Sequence, residues 1–140
     1  MLSLGRAERM AIADDARRGY PGECCGILLG SRADGRAVVA AVRAVPNARA
    51  DAPRERFAIA PELILRAQRE AEARQLEIVG FYHSHPGGEP DPSRLDREHA
   101  WPGYSYVIVG VIDGSPGEMR SWVLAAEGGE FVEEPMRESR

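Results

Sequence analysis

Ile78-Val79-Gly80-Phe81-Tyr82-His83-Ser84-His85-Pro86, followed at short range by Ser93-Arg94-Leu95-Asp96, is the stretch on which the reading of this chain turns. The apolar run from Ile78 has the length and β-branched content of a buried strand, and it ends on His-x-His. Side chains alternate along a strand, so His83 and His85 leave the same face. Their backbones then stand roughly 7 Å apart, and two inward-leaning imidazoles can share one ion at about 2.0–2.1 Å each. Asp96 can add an anionic oxygen. Two histidines and one carboxylate, with a position left for water, form the donor set of a catalytic zinc site rather than a closed structural one. Isolated histidines are usually surface residues. An apolar strand ending on His-x-His, with a proline and a Ser-x-x-Asp close behind, is a different pattern.

Working outward, Ser93 reads as the N-cap of a short helix whose first turn carries Asp96, a favourable place for a negative charge. His99, three residues further on the same face, reads as a surface or supporting residue. Tyr104 to Ile112 is the longest β-like run and predicts a central strand, followed by strands over Met119 to Ala125 and Phe131-Val132, hinged at Gly128-Gly129. Residues 135–140 read as a frayed tail. Upstream, Gly5 to Arg18 predicts a helix capped by Ser3 and stopped by Gly19 and Pro21. Cys24 to Leu29 predicts a buried strand, and Ala37 to Val45 a second, joined through a turn at Asp34-Gly35. Pro46 to Arg56, rich in arginine and broken by Pro53, reads as an exposed loop. Pro61 opens a helix to about Gln75 whose buried stripe is Leu63, Ala67 and Ala71.

The chain has 140 residues, of which 44% are hydrophobic and 29% charged, the composition of an ordinary globular protein. The length favours one domain, placed at residues 1–134. Strands outnumber helices and come partly in hairpins, which predicts a mixed α+β architecture with a three-layer sheet. The net charge of −4, with arginines dispersed among acids, argues against nucleic acid or a membrane surface as partner. No apolar run is long enough to span a bilayer. The only cysteines, Cys24 and Cys25, are adjacent and form no disulfide framework. The expectation is a reduced, cytoplasmic protein.

These residues resemble the JAMM metalloprotease family, also called the MPN-plus domain, whose signature is His-x-His-Pro, a spacer, then Ser-x-x-Asp, with a distant upstream glutamate. The match is His83-Ser84-His85-Pro86 with Ser93-Arg94-Leu95-Asp96. Tyr20-Pro21-Gly22-Glu23-Cys24-Cys25-Gly26 is similar to the segment bearing the family's glutamate, and Tyr104-Ser105-Tyr106-Val107-Ile108-Val109 fits the strand after the motif. The resemblance implies a cytidine-deaminase-like fold with a mixed, curved sheet flanked by helices. It implies that His83, His85 and Asp96 bind Zn2+, that Glu23 acts as general base and proton carrier, and that Ser93 donates to the oxyanion. By position alone, Glu8, Asp14 and Asp15 rival Glu23, and the cap role explains Ser93 equally well. The chain looks like the stand-alone prokaryotic branch, associated with ubiquitin-like sulfur-carrier proteins ending in Gly-Gly. Cleavage of the amide bond after that tail is the implied activity. The loop from Asn47 to Arg56 is the expected partner for the extended tail, with Arg49, Arg54 and Arg56 facing acidic groups of a carrier or simply keeping the loop solvated.

Three other readings stand beside this one. The same donors hold iron(II) in non-heme oxygenases, although the adjacent His-x-His order is unusual there. Cys24 or Cys25 with a histidine would make a cysteine hydrolase, but an apolar strand beside Glu23 raises a thiol pKa rather than lowering it. A non-enzymatic MPN scaffold would not need the complete motif that this chain retains.

Overall fold

The Asp34-Gly35 pair is the first feature that sets the architecture. Both residues have positive φ, 52° and 73°, the backbone of a tight two-residue hairpin turn. They join β2 (Cys25–Ala33) to β3 (Arg36–Val45) as an antiparallel hairpin. The computed structural model describes residues 1–48, 58–125 and 129–139. In chain order the other elements are β1 (Leu2–Gly5), α1 (Arg6–Gly19), α2 (Pro61–Ala73), β4 (Glu77–Pro86), α3 (Arg94–His99), β5 (Ser105–Ile112), β6 (Ser115–Leu124), β7 (Phe131–Glu134) and β8 (Met136–Ser139). The strands form one eight-stranded mixed sheet in the order β7-β6-β5-β4-β2-β3-β1-β8. Strands with few helices make this an α+β fold.

The central strands alternate between two apolar clusters. Leu28, Val79, Tyr82, Val107 and Val109 pack with Ile12 and Ala16 of α1. Ile27, Leu29 and Phe81 pack with Ala67 and Ala71 of α2. The two helices therefore cover opposite faces. Ile64 rather than Leu63 completes the buried stripe of α2, because a rotation bringing Ala67 and Ala71 onto the sheet brings position 64 with them. Among the described residues, no helix is long and apolar enough to cross a membrane.

Several elements differ from the expectation. Ser3 does not cap α1. It lies in β1, paired with Val38 and Arg137, while Gly5 takes the N-cap position without a side-chain cap bond. The reason is legible in hindsight: Leu2 and Leu4, both fully buried, alternate with Ser3 in a strand period. Residues 136–139 are not a frayed end. They form β8, parallel to β1 from Leu2–Met136 to Gly5–Ser139, held by backbone pairing that a polar Met-Arg-Glu-Ser sequence does not announce. Strand β6 starts four residues earlier than expected, after a second positive-φ pair, Asp113-Gly114. Pro116 is tolerated there because β7 pairs only with Ser121 to Leu124 and leaves that side of β6 open. Gly128 of the expected hinge lies outside the described residues, as do Arg49, Arg54 and Arg56.

One close approach ties the sheet to α1. Tyr82 is fully buried and its hydroxyl donates to Asp15 Oδ2 of α1 at 2.7 Å. Its ring lies across Gly26, where a Cβ would come within 2.0 Å of it. Gly26→Ala should therefore destabilise the fold by roughly 1–3 kcal/mol, the usual cost of overpacking, read as a lower midpoint of urea unfolding with an unchanged slope.

Candidate active site

Strand β4 is an interior strand, antiparallel to β2 and parallel to β5. The alternation that sends Tyr82 towards α1 sends Phe81, His83 and His85 to the α2 face. The imidazole Nε2 atoms of His83 and His85 lie 3.1 Å apart. Asp96 Oδ2, arriving from α3, is 3.2 Å from each of them. Three donors with these separations match one face of a tetrahedron with bonds of about 2.0 Å, as a zinc-type ion requires. The donor set and its spacing fit a divalent metal.

Asp96 and His85 are each held by something besides their fellow donors. Ser93 and Asp96 form a reciprocal cap on α3: the Asp96 N–H donates to Ser93 Oγ at 3.1 Å, and the Ser93 N–H donates to Asp96 Oδ2 at 2.8 Å. The cap and the donor triangle thus use the same carboxylate oxygen. Ser93 Oγ accepts in this cap and keeps its own O–H as a donor, so the two roles considered for it are compatible. His85 Nδ1 faces the Glu89 carbonyl at 3.0 Å, an acceptor that favours the tautomer with the proton on Nδ1 and leaves the Nε2 lone pair aimed at the site. The loop carrying Glu89 is in turn pinned to β6: Trp122 Nε1 donates to the Pro90 carbonyl at 2.9 Å and Arg120 Nη1 to Asp91 Oδ1 at 2.9 Å. This support was not anticipated from the sequence, where Trp122 reads only as a strand residue.

Glu23 reaches the site through strand register. Cys25 lies opposite His83, and continuing that register two residues brings Glu23 alongside His85. A Glu23 carboxylate oxygen and the two histidine donors lie within 4.8 Å of one another, a spacing that a water can bridge. Glu23 is 8% exposed, and this burial pushes its carboxyl up to about 7, opposed by His85 and aided by Asp96. Burial would also raise Asp96, but hydrogen bonds from both imidazoles outweigh it and hold that carboxyl well below the usual carboxylate range. Burial takes His83 below its ordinary value. For His85, burial is outweighed by the bond to Asp96, which moves it up. The rivals of Glu23 are placed elsewhere: Asp14 pairs with Arg17, and Asp15 bonds to Tyr82 on the α1 side.

Two of the donors, His83 and Asp96, line an apolar pocket of about 310 Å³ together with Ile59, Ile64, Phe81, Leu95, Trp101 and Phe131, and Ser93 and His99 line it as well. His99 therefore faces the pocket and is not one of the three donors. Cys24 and Cys25 are buried core residues, and burial pushes each thiol up to about 12. Neither is a thiolate nucleophile at neutral pH.

Comparison with known proteins agrees with this geometry. Residues 6–125 match the family described as prokaryotic homologs of the JAB domain. A desampylase from Haloferax volcanii is 43% identical over 112 residues, covering 76% of this chain and 78% of the relative. A CysO-cysteine peptidase from Mycobacterium tuberculosis is 32% identical over 127 residues, covering 90% and 83%. A JAB1/MPN domain protein from Archaeoglobus fulgidus superposes over 100% of this chain and 98% of its own, with TM-score 0.58 and 16% identity, a likeness of fold. Fold and site together define a hydrolase of the JAMM peptidase type, acting on peptide or isopeptide bonds. The chain belongs to the prokaryotic JAB-domain family.

The Trp122 anchor has a measurable consequence. Trp122→Phe removes the indole N–H and frees the Pro90 carbonyl, loosening the loop that orients His85. Affinity for a divalent ion should fall by the ~10–100-fold typical of such supporting groups, measured by competition with a chromophoric chelator. An unchanged affinity would show that Glu89 is held without the Trp122 bond.

Proposed function

We propose that this chain is a single-domain, zinc-dependent peptidase that hydrolyses the amide bond after the C-terminal Gly-Gly of a ubiquitin-like sulfur-carrier protein or its conjugates. The observation that carries this reading is the triangle of His83 Nε2, His85 Nε2 and Asp96 Oδ2, with separations of 3.1–3.2 Å, beside an apolar pocket and with Glu23 close by. His83, His85 and Asp96 would hold the ion. When bound, zinc acidifies water and polarises a carbonyl, the chemistry amide hydrolysis needs.

The chain's own residues supply the rest. Glu23 Oε accepts a proton from the attacking water and returns it to the leaving amine nitrogen. A carboxyl pushed up to about 7 by burial is suited to both transfers near neutral pH. The Ser93 O–H, not consumed by the cap, donates to the oxygen that gains charge as the carbonyl is attacked. The glycines of the tail pass the donors, where only a residue without a side chain lets backbone come so close. The apolar pocket accommodates the residues preceding them. The names of the relatives, a desampylase and a CysO-cysteine peptidase, support a ubiquitin-like substrate. The same donors could serve an iron(II) oxygenase, but Glu23 beside the histidines and the peptidase family favour hydrolysis.

Three outcomes test the reading. His83→Ala and His85→Ala should each abolish stoichiometric zinc by elemental analysis while the far-ultraviolet circular dichroism is kept, because neither cluster that forms the core contains a histidine. Full occupancy in either variant would sink the ligand assignment. Glu23→Gln should retain zinc and lower turnover by about 10²–10⁴-fold, followed by mass spectrometry of a Gly-Gly-extended carrier. Replacing the carrier's Gly-Gly by Ala-Ala should abolish cleavage, and equal rates on the two tails would point to a broader metallopeptidase.

A further inference from the structure

Ser84 stands between the two histidines in sequence, yet strand alternation turns it to the opposite face of β4, where it is fully buried. A buried hydroxyl needs a partner. Its partner is on the segment that carries Glu23. The β2–β4 ladder has Cys25 opposite His83 as its last regular pair. One residue beyond, the Ser84 N–H donates to the Cys24 carbonyl at 3.2 Å. The return bond is different: the Cys24 N–H donates to Ser84 Oγ at 2.8 Å. A side chain thus occupies the place that a backbone carbonyl holds in a regular antiparallel pair. Here the regular β2–β4 ladder ends.

The other end of the same peptide group is also held by a side chain. Glu23 and Cys24 share one amide, and its carbonyl oxygen, that of Glu23, accepts from Asn47 Nδ2 at 3.2 Å. Asn47 Oδ1 accepts in turn from the Ala58 N–H at 3.0 Å, so that amide side chain is itself fixed. A peptide group is planar. Grasping its N–H from one side and its C=O from the other sets the orientation of the whole plane, and with it the direction in which the Glu23 side chain leaves the backbone.

We propose that Ser84 and Asn47 are positioning residues for Glu23: by holding the N–H and C=O of the Glu23–Cys24 peptide, they aim the Glu23 carboxylate at the histidine pair. The inference rests on the reading of Glu23 as general base. It goes beyond that reading by assigning Ser84, on the far side of the strand from the reaction, to the aim of the base rather than to packing. Neither residue need touch substrate or metal. Their effect comes through geometry, and a displacement of about 1 Å in a reacting group can cost roughly 10²-fold in rate.

The test is a double-mutant cycle on the zinc-loaded protein, with a Gly-Gly-extended ubiquitin-like carrier bearing an amide-linked fluorophore as probe, read under single turnover. Ser84→Ala should lower the rate constant by about 10- to 100-fold, with half-saturating substrate and zinc stoichiometry unchanged, and Ser84→Thr should restore it. On a Glu23→Gln background, Ser84→Ala should cause no further loss, because there is no base left to misaim. Amide hydrogen exchange of Cys24 gives a readout independent of turnover: protected in the unsubstituted protein and in Ser84→Thr, it should exchange faster in Ser84→Ala with or without metal. If Ser84→Ala fails to fold, Asn47→Ala carries the same cycle. Equal losses on both backgrounds, or full activity with an unprotected Cys24 amide, would overturn the proposal. Full turnover by Glu23→Gln alone would instead overturn the role of Glu23, a result read before any Ser84 or Asn47 variant is made.

Discussion

The register between β2 and β4 is the constraint on which the site depends. With Cys25 set opposite His83, the strand that ends in the histidines and the segment that begins at Glu23 meet at the same end of the two interior strands. A one-residue slip would turn the whole of β2 over. Ile27 and Leu29 would exchange faces with Leu28, and Gly26 would no longer lie beneath Tyr82. The apolar alternation that builds the two clusters therefore also fixes the distance between a carboxylate and two imidazoles. Packing and chemistry are specified by one alignment.

Much of this was legible in the chain because the relevant signals are local. The alternation leading into His83 and His85, the Ser-x-x-Asp cap and the Asp34-Gly35 turn each span a few residues and carry their own physical meaning. The donor triangle follows from the first two once α3 folds back onto β4. Glu23 was less legible, since nothing within reach of it in sequence separates it from Asp14 and Asp15. Only the long-range ladder places one of them beside the histidines and another beneath Tyr82.

What escaped were features whose stabilisation comes from distant chain. β1 and β8 are four residues each, and each exists because the other, or β3, supplies hydrogen-bond partners. The Met-Arg-Glu-Ser of β8 shows no apolar alternation to read: Met136 alone packs against the first cluster, and the strand is otherwise marked by its pairing with β1. Trp122 and Asn47 were silent for a related reason. Each acts on a backbone carbonyl far along the chain, and no pattern of residue types marks a carbonyl as worth holding.

Helix α3 buries none of its six residues, although it delivers Asp96 to the donors and Leu95 to the wall of the pocket. Asp96 Oδ2 lies 3.2 Å from both imidazoles and Arg97 pairs with Glu130, so polar contacts tie a helix with no buried residue to the rest of the protein. Thermodynamic reciprocity follows from that economy. Whatever occupies the space between the three donors also stabilises the helix that walls the pocket. Whatever fills the pocket against Leu95 raises affinity at the donors by the same factor. Under the proposed zinc-peptidase reading, ion and substrate tail are then coupled guests, each raising the affinity of the other.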